Sequence, residues 1–261
     1  MNMTIKTDTD SHWNEQAQTV ISEKHVNTAD IYQRSLENDF IVNFLHNNMK
    51  LLEIGCGNGF STNVFRDHVK WVDSIDSSEK MIQRAKKIYG EINNKFFYDN
   101  LFDPIHISQK YDVIICVRVL INLKNMNEQQ QAIQTISKHI KPNGLFIMLE
   151  GFKNGFIELN KLRLKVGLQN LIPAKINTYS DIHDIMPILN ELFIQEHEYN
   201  QGMYDFLTRI YYPMVTEPID VKHNTIYSEQ AYHISKLFIH SCEFSALSRI
   251  KGGVYRKKDN D

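Results

Sequence analysis

The stretch Leu51-Leu52-Glu53-Ile54-Gly55-Cys56-Gly57-Asn58-Gly59 decides the fold of this chain. Its first residues form a short apolar run, which predicts a buried β-strand. The glycines that follow allow positive φ angles and a close approach of the backbone to a ligand. A helix is predicted to begin near Ser61, with its free N–H groups facing the glycine turn. A strand, a glycine turn and a helix in this order are typical of a nucleotide-binding site.

The spacing of the glycines distinguishes two classes of cofactor. A dinucleotide-binding G-x-G-x-x-G pattern that starts at Gly55 would need a third small residue at position 60, which is Phe60. The third glycine is instead Gly59, and the acidic Glu53 precedes the loop. A carboxylate suits a cofactor that carries an ammonium and a sulfonium group, whereas a dinucleotide carries an anionic pyrophosphate. The spacing therefore favours S-adenosylmethionine over NAD.

Strand patterns and helical patterns alternate along the first 150 residues. Strands are predicted over residues 50–54, 71–75, 95–98, 112–117 and 145–150. Helices are predicted from Ser61, over residues 78–89 and over residues 128–140. The sequence Lys-Pro-Asn-Gly at residues 141–144 should end the last of these helices and turn the chain into the next strand. Because connecting helices return across the sheet, the alternation predicts a doubly wound, mostly parallel α/β sheet.

The sequence predicts two parts of unequal size. Residues 1–29 should form a helical N-terminal arm that is mobile or loosely packed, because they are polar and unpatterned apart from Trp13. Residues 30–261 should form one domain, with a cofactor-binding half over 30–150 and a substrate half over 151–261.

An aromatic-rich insertion is predicted in the substrate half, between strands near residues 193–199 and 244–255. Its aromatic residues are Tyr204, Phe206, Tyr211, Tyr212 and Tyr227. Two interpretations stay open: the insertion is a satellite core or a subunit contact, or it is a lid over the substrate. A subunit contact would make the protein a homodimer through this C-terminal region.

Composition and charge argue against several classes of protein. The chain has 261 residues, of which 42% are hydrophobic and 23% charged, as is ordinary for a globular protein. It has no run of eighteen apolar residues and no apolar signal at its start, so we expect a cytoplasmic protein without a membrane span. A net charge of -2 argues against nucleic acid as a partner. Cys56, Cys116 and Cys242 form no Cys-x-x-Cys pair, so we expect buried or neutral thiols and no metal site.

Residues 30–150 resemble the class I S-adenosylmethionine-dependent methyltransferases. Residues 51–59 match the first motif of that family without a gap. Asp76, at the end of the second strand, matches the acid that holds both ribose hydroxyls; a helix N-cap is its alternative role. The run Asp99-Asn100-Leu101 matches the adenine site, where either Asp99 or Asn100 could be the side chain concerned, and a polar turn is the alternative.

This resemblance implies a Rossmann-like sheet of seven strands and a set of cofactor-binding residues. Met81 is expected to pack on the ribose or the adenine, or else to belong to the core. The residues that the resemblance assigns to the cofactor are Glu53, Gly55, Cys56, Gly57, Asn58, Asp76, Ser77, Met81, Asp99, Asn100, Leu101 and Val117.

Four residues are candidates for catalysis on the acceptor side: Arg118, Asn122, Glu150 and Tyr179. Ligands of α/β sheets lie beyond the carboxyl ends of the strands, so residues after the fourth strand should face the methyl group. Many small-molecule members of the family have His or Asn where Asn122 stands. A guanidinium beside a sulfonium is unfavourable without an anion, so Arg118 indicates an anionic acceptor or a pairing with a structural carboxylate such as Glu150. Glu150 is also a candidate base, and Tyr179 a candidate for the pocket wall.

The sequence thus predicts an enzyme that transfers a methyl group to an oxygen or nitrogen atom of a small, anionic acceptor. Residues 118–123 and 159–164 resemble bacterial methyltransferases of surface sugars, which suggests a sugar precursor as the acceptor. Three alternatives stay open: methylation of RNA or protein, an inactive S-adenosylmethionine-binding subunit, and an NAD-dependent oxidoreductase, which Glu53 and Phe60 disfavour.

Overall fold

A seven-stranded sheet forms the centre of the computed structural model, which describes residues 8–104, 106–107, 109–217 and 221–259. The strand order is β3-β2-β1-β4-β5-β7-β6. The strands are β1 (Lys50–Ile54), β2 (Trp71–Asp76), β3 (Asn94–Tyr98), β4 (Tyr111–Val117), β5 (Ile140–Gly151), β6 (Phe193–Asn200) and β7 (Ile250–Lys257). Strands β1 to β5 pair in parallel, whereas β7 runs antiparallel to β5 and β6. The predicted doubly wound, mostly parallel sheet of seven strands is confirmed.

Helices connect the strands and cover the sheet. They are α1 (Asp8–Thr19), α2 (Ile31–Val42), α3 (Phe60–Phe65), α4 (Glu79–Tyr89), α5 (Met126–Lys138), α6 (Lys153–Lys165), α7 (Ile182–Leu192), α8 (Gly202–Phe206), α9 (Tyr212–Val215) and α10 (Ile226–Lys236). Within the described ranges, none of these helices has the length and apolar character needed to cross a membrane.

Alternate residues of the central strands face opposite sides of the sheet, as strand geometry requires. Leu52 and Ile114 belong to a core with α5 and α7, whereas Leu51 and Val113 belong to a core with α2 and α3. All four side chains are almost fully buried. Burial of one such side chain stabilises a protein by about 1.5–3 kcal/mol. The two cores hold the carboxyl ends of β1 and β4 side by side.

Two predicted boundaries are wrong. Residues 141–144 lie within β5 as an irregularity where its pairing with β4 changes register, and Asn143, not Gly144, takes the positive φ of +58°. The last strand begins at Ile250 and not near residue 244. Phe244 has a φ of +60°, which no β-strand accommodates, and a 3-10 turn (Ser245–Leu247) follows it.

The described part of the N-terminal arm packs against α4, so the expectation of a loose arm is wrong there; residues 1–7 lie outside the described residues. Arg84 on α4 provides the main anchor. Its Nη1 donates to the carbonyl oxygens of Ala17 (2.8 Å) and Val20 (2.7 Å), and its Nη2 donates to that of Ile21 (3.1 Å). The same guanidinium pairs with Glu23 at 2.7 Å.

The aromatic-rich insertion between β6 and β7 packs on α2. Tyr204 is fully buried beside Leu36, and the rings of Tyr212 and Tyr227 stack with their centroids 4.4 Å apart. The insertion thus contains a satellite core, which leaves the interpretation as a lid a prediction. A π-helical turn (Leu207–Tyr211) follows α8 in this insertion.

Candidate active site

A large cavity lies where the strand order reverses, between β1 and β4. Open α/β sheets bind ligands at this point, because the connecting loops diverge to opposite faces. The cavity volume is about 1270 Å³. Pockets for single small ligands range from roughly 300 to 1,000 Å³, so this cavity has room for a cofactor and a small second molecule.

Most of the predicted site residues line this one cavity, and Asn58 and Glu150 are the two that do not. The predicted residues in its wall are Glu53, Gly55, Cys56, Gly57, Asp76, Ser77, Met81, Asp99, Asn100, Leu101, Val117, Arg118, Asn122 and Tyr179.

The glycine loop needs its glycines for conformation and for space. Gly57 has a φ of +53°, and a Cβ atom on it would lie 2.0 Å from Nδ2 of Asn27. Gly59 has a φ of +78°, and a Cβ on it would lie 2.8 Å from Cζ of Phe96 on β3. Gly59 is therefore the residue that allows the start of the helix to pack closely against β3. Phe60 turns towards α2, where the guanidinium carbon of Arg34 lies 4.0 Å from its ring centroid.

Glu53 places a buried carboxylate at the end of β1. Its Oε2 accepts hydrogen bonds from the hydroxyls of Thr62 and Ser74. Burial raises the pKa of Glu53 to about 7, although the two hydroxyls oppose that shift. A cation in the cavity would favour the ionised form of this group.

Asp76 joins the ends of β1 and β2. Its Oδ2 accepts from the backbone N–H of Gly57 at 2.8 Å, and its Oδ1 accepts from that of Ser78 at 2.8 Å. Burial raises its pKa to about 6. The alternative role as helix N-cap is wrong, because Ser78 caps α4 with its own side chain. Neighbouring Ser77 lies in the cavity wall and bonds to Asp10 at 3.2 Å.

The segment after β3 is held by its own polar side chains. Asp99 accepts from the backbone N–H groups of Asn100 and His106, both at 2.8 Å. Asn100 accepts from the N–H of Phe102 at 2.8 Å. These bonds are those of a polar turn, the alternative role for Asp99 and Asn100. Both residues and Leu101 nevertheless line the cavity.

Three predicted cofactor residues have structural contacts. Asn58 is buried and donates to Glu23 of the N-terminal segment at 2.9 Å, so it anchors that segment and does not line the cavity. Met81 packs against Ala17 and Val26, so it belongs to the hydrophobic core, as its alternative role predicts. Burial raises the pKa of the Cys56 thiol well above its usual value, which keeps the thiol neutral.

The other two cysteines differ from each other. Cys116 is buried, and burial likewise raises the pKa of its thiol. Cys242 is exposed.

Arg118 pairs with a structural carboxylate, as one of its two predicted roles requires, but that carboxylate is Glu37 and not Glu150. Arg118 pairs with Glu37 on α2, with 3.2 Å between Nε and Oε1. Glu150 accepts from the backbone N–H groups of Val119 (2.7 Å), Leu120 (2.8 Å) and Ile121 (3.3 Å). Glu150 is therefore the anchor of the turn after β4. Its burial raises its pKa to about 7.

Asn122 and Tyr179 lie in the acceptor-side wall. Asn122 donates to the carbonyl of Arg118 at 2.9 Å and accepts from the indole N–H of Trp13 at 3.3 Å. Tyr179 accepts a hydrogen bond from Asn177 at 2.9 Å, and its ring meets Phe156 edge-on. The N-terminal helix thus closes onto the turn that follows β4.

Sequence reasoning missed several residues of the cavity wall. These are Trp13 and Asn27 in the N-terminal segment, Asp30 at the N-cap of α2, Gln33 and Glu37 on α2, Arg209 in the π-helical turn, and Arg249 just before β7. One available signal was the spacing of Asp30, Gln33 and Glu37, since steps of three and four place polar groups on one helix face.

A protein family described as a methyltransferase domain matches residues 45–191, more than half of the chain. The chain belongs to this methyltransferase family. The match confirms the family that the glycine motif predicted. It includes β1 to β5 and α7, and it ends before the aromatic-rich insertion.

Two curated relatives of this methyltransferase are O-methyltransferases. Ubiquinone biosynthesis O-methyltransferase from Rickettsia akari is 32% identical over 101 residues, which span 38% of this chain and 39% of that protein. Malonyl-[acyl-carrier protein] O-methyltransferase from Priestia megaterium is 26% identical over 208 residues, 73% of each chain. The chain therefore spans only about two fifths of the length of the Rickettsia relative that it matches.

A solved structure shares the fold. N-methyltransferase NodS from Bradyrhizobium japonicum, in complex with S-adenosyl-L-homocysteine, superposes with a TM-score of 0.54 at 16% identity. The superposition covers 74% of this chain and 90% of that one. The methyltransferase fold thus extends to a protein of very different sequence.

Replacing Glu150 with Gln in this methyltransferase should lower the free energy of unfolding by about 2 kcal/mol. The Gln amide has one acceptor oxygen for three backbone N–H groups. Its NH2 group would face at least one of these N–H donors, which leaves that donor without an acceptor. Urea unfolding at pH 8, where the Glu150 carboxylate is ionised, measures the change, with the exposed Glu191→Gln on α7 as control. Equal unfolding midpoints for the two variants would show that Glu150 does not anchor the turn.

Proposed function

We propose that this chain is an S-adenosylmethionine-dependent methyltransferase that methylates an oxygen or nitrogen atom of a small acceptor. The observation that carries the proposal is the single cavity that joins the glycine loop to the residues after β4, at the point where the strand order reverses. The family match supports the same reaction. When bound, S-adenosylmethionine supplies the methyl group, on a sulfonium that is already activated for transfer.

The cavity residues fit this cofactor part by part. The Glu53 carboxylate only accepts hydrogen bonds, as an α-ammonium group requires. Each oxygen of Asp76 already accepts one backbone N–H and retains lone-pair capacity for a ribose hydroxyl. The segment from Asp99 to Leu101 lies in the wall where the adenine would follow the ribose.

On the acceptor side, the residues of this chain would align the nucleophile and exclude water. We assign the alignment to Arg118, Asn122 and Tyr179, which line the cavity. Glu150 acts in this proposal only by holding the turn that carries Arg118 and Asn122. Alignment of the attacking atom with the methyl group and the departing sulfur accounts for most of the rate in such a displacement.

A small acceptor fits the site better than a macromolecule does. The N-terminal segment forms one wall of the cavity, with Trp13 bonded to Asn122 across it. An RNA strand or a protein chain would need a more open groove. A polar metabolite, such as a sugar precursor, matches the polar side chains of the wall. The names of the Rickettsia and Priestia relatives favour an oxygen atom as the methyl acceptor.

The proposal also includes a cytoplasmic homodimer. Tyr211, Met214 and Ile226 of the aromatic-rich region are exposed, which supports a subunit contact there. All three cysteines are free thiols, which suits a reducing compartment. Light scattering after size-exclusion chromatography tests the dimer, and a monomeric mass would contradict it.

Titration calorimetry tests the cofactor. We expect S-adenosylhomocysteine to bind, NAD at the same concentration to give no heat, and Asp76→Asn to weaken S-adenosylhomocysteine at least about tenfold, since a charged hydrogen bond contributes about 1.5–3 kcal/mol. Asp67→Asn, an exposed aspartate outside the cavity, is the matched control. Binding of NAD without S-adenosylhomocysteine would favour the oxidoreductase and overturn the proposal.

The affinity for S-adenosylhomocysteine should rise with pH between 5.5 and 8. The pKa values of Asp76 and Glu53, about 6 and 7, are both raised by burial, and both groups must lose a proton to accept from the ligand. We expect the dissociation constant to be at least about tenfold higher at pH 5.5 than at pH 8. Glu53→Gln should flatten the part of the profile near pH 7. An affinity that is independent of pH would show that neither carboxylate contacts the ligand as an anion.

A further inference from the structure

Three arginines from three separate elements line the cavity wall along one face of α2. They are Arg118 after β4, Arg209 in the π-helical turn and Arg249 just before β7, and we name them the arginine cluster. Their side chains are only 19%, 13% and 15% exposed. Guanidinium groups are seldom gathered in this way without an anion to bind.

One face of α2 and its N-cap holds the arginine cluster in place. Nη2 of Arg209 lies 2.9 Å from Oδ2 of Asp30. Nη2 of Arg249 donates to Gln33 at 3.3 Å, and Arg118 pairs with Glu37. Asp30, Gln33 and Glu37 follow one another at steps of three and four residues, so they share one helix face. The three guanidinium groups are thus fixed at successive positions along one helix.

One donor of Arg118 makes no hydrogen bond to any residue that the structure describes. A guanidinium carries five N–H donors. Within the described part of the chain, the Nε of Arg118 is buried without a hydrogen-bond partner, and its contact with Glu37 is an ion pair only. Its backbone has a φ of +54°, a conformation that is costly for a residue other than glycine. Arg118 thus lies in the cavity wall with a costly backbone conformation and one unsatisfied donor.

Each arginine of the cluster is paired with one carboxylate: Arg209 with Asp30, Arg118 with Glu37, and Arg249 with Asp205. A fourth arginine, Arg34, also lies in the cavity wall, and within the described residues its Nε and Nη1 are buried without a hydrogen-bond partner. Because buried donors without a partner are costly, this part of the wall is suited to a bound anion.

We propose that the arginine cluster binds a carboxylate or phosphate group of the methyl acceptor. This inference rests on the proposed function, since the cavity also holds the cofactor in that proposal. Guanidinium forks match the paired oxygens of both anions. An anion at this point would offset the repulsion between Arg118 and a sulfonium, and it would fix the acceptor for in-line attack.

Titration of the protein saturated with S-adenosylhomocysteine tests this proposal. The probes are inorganic phosphate and benzoate, each added at constant ionic strength against sodium chloride as the reference. We expect at least one of the two probes to bind with a millimolar dissociation constant and to raise the melting temperature above that in chloride. The probe that binds more tightly identifies the anion as phosphate or carboxylate.

Variants locate the binding site of the probes. Arg118→Gln should weaken the better probe at least tenfold, and so should the double variant Glu37→Gln with Arg118→Gln, which removes an ion pair and leaves no buried carboxylate alone. Arg256→Gln is the matched control, because Arg256 pairs with Glu196 outside the cavity. Its affinity for the probe should equal that of the unaltered protein.

The outcomes separate this inference from the proposed function. Binding of S-adenosylhomocysteine to the unaltered protein is measured first. If it does not bind, the proposed cofactor is wrong, and the anion site is then tested with the probes alone. If S-adenosylhomocysteine binds but neither probe exceeds chloride, the proposed anion site is wrong. It is equally wrong if a folded Arg118→Gln variant or the double variant binds the probe as the unaltered protein does. Should both variants fail to fold, the comparison of the probes with chloride on the unaltered protein decides.

Discussion

The carboxylate of Asp76 carries the constraint on which the cofactor half depends. By accepting from Gly57 and Ser78 it fixes the glycine loop after β1 to the start of α4 after β2. These two loops border the cavity, and that carboxylate links them directly. A group that shapes the loop and also lines the cavity makes folding and ligand binding depend on the same charge.

Several acidic side chains that the sequence marks as candidates for catalysis or cofactor binding hold the backbone of turns. Glu150 holds three backbone N–H groups after β4, and Asp99 holds two after β3. Loops at the carboxyl ends of a parallel sheet have many unpaired N–H groups, and a buried carboxylate satisfies them more fully than neutral side chains can. The chemistry of the site therefore relies on residues whose position these anchors determine.

The sequence predicted what depends on neighbouring residues and missed what depends on distant ones. The strand and helix order and the glycine loop follow from periodicity and spacing within single elements, whereas the assignment of Asp76 follows from the resemblance to the methyltransferase family. The pairing of Arg118 with Glu37 does not, because only the fold brings β4 beside α2. The N-terminal helix was expected to be loose for the same reason: its anchor, Arg84, lies on α4 far along the chain. Glu150 is a candidate base in the sequence, because only the fold shows the three backbone N–H groups that it accepts from.

The position of α2 outside the family match bears on how this protein could change over evolution. Its polar face, with Asp30, Gln33 and Glu37, lies outside the region that matches the methyltransferase family, and so do Arg209 and Arg249. If the arginine cluster binds the acceptor as we propose, substitutions there would alter which molecule is accepted without changing the glycine loop or Asp76. The cofactor half is thereby free to stay constant while the flanking segments diversify. Chimaeras that exchange residues 30–42 and 200–250 between relatives are the natural way to transfer acceptor preference.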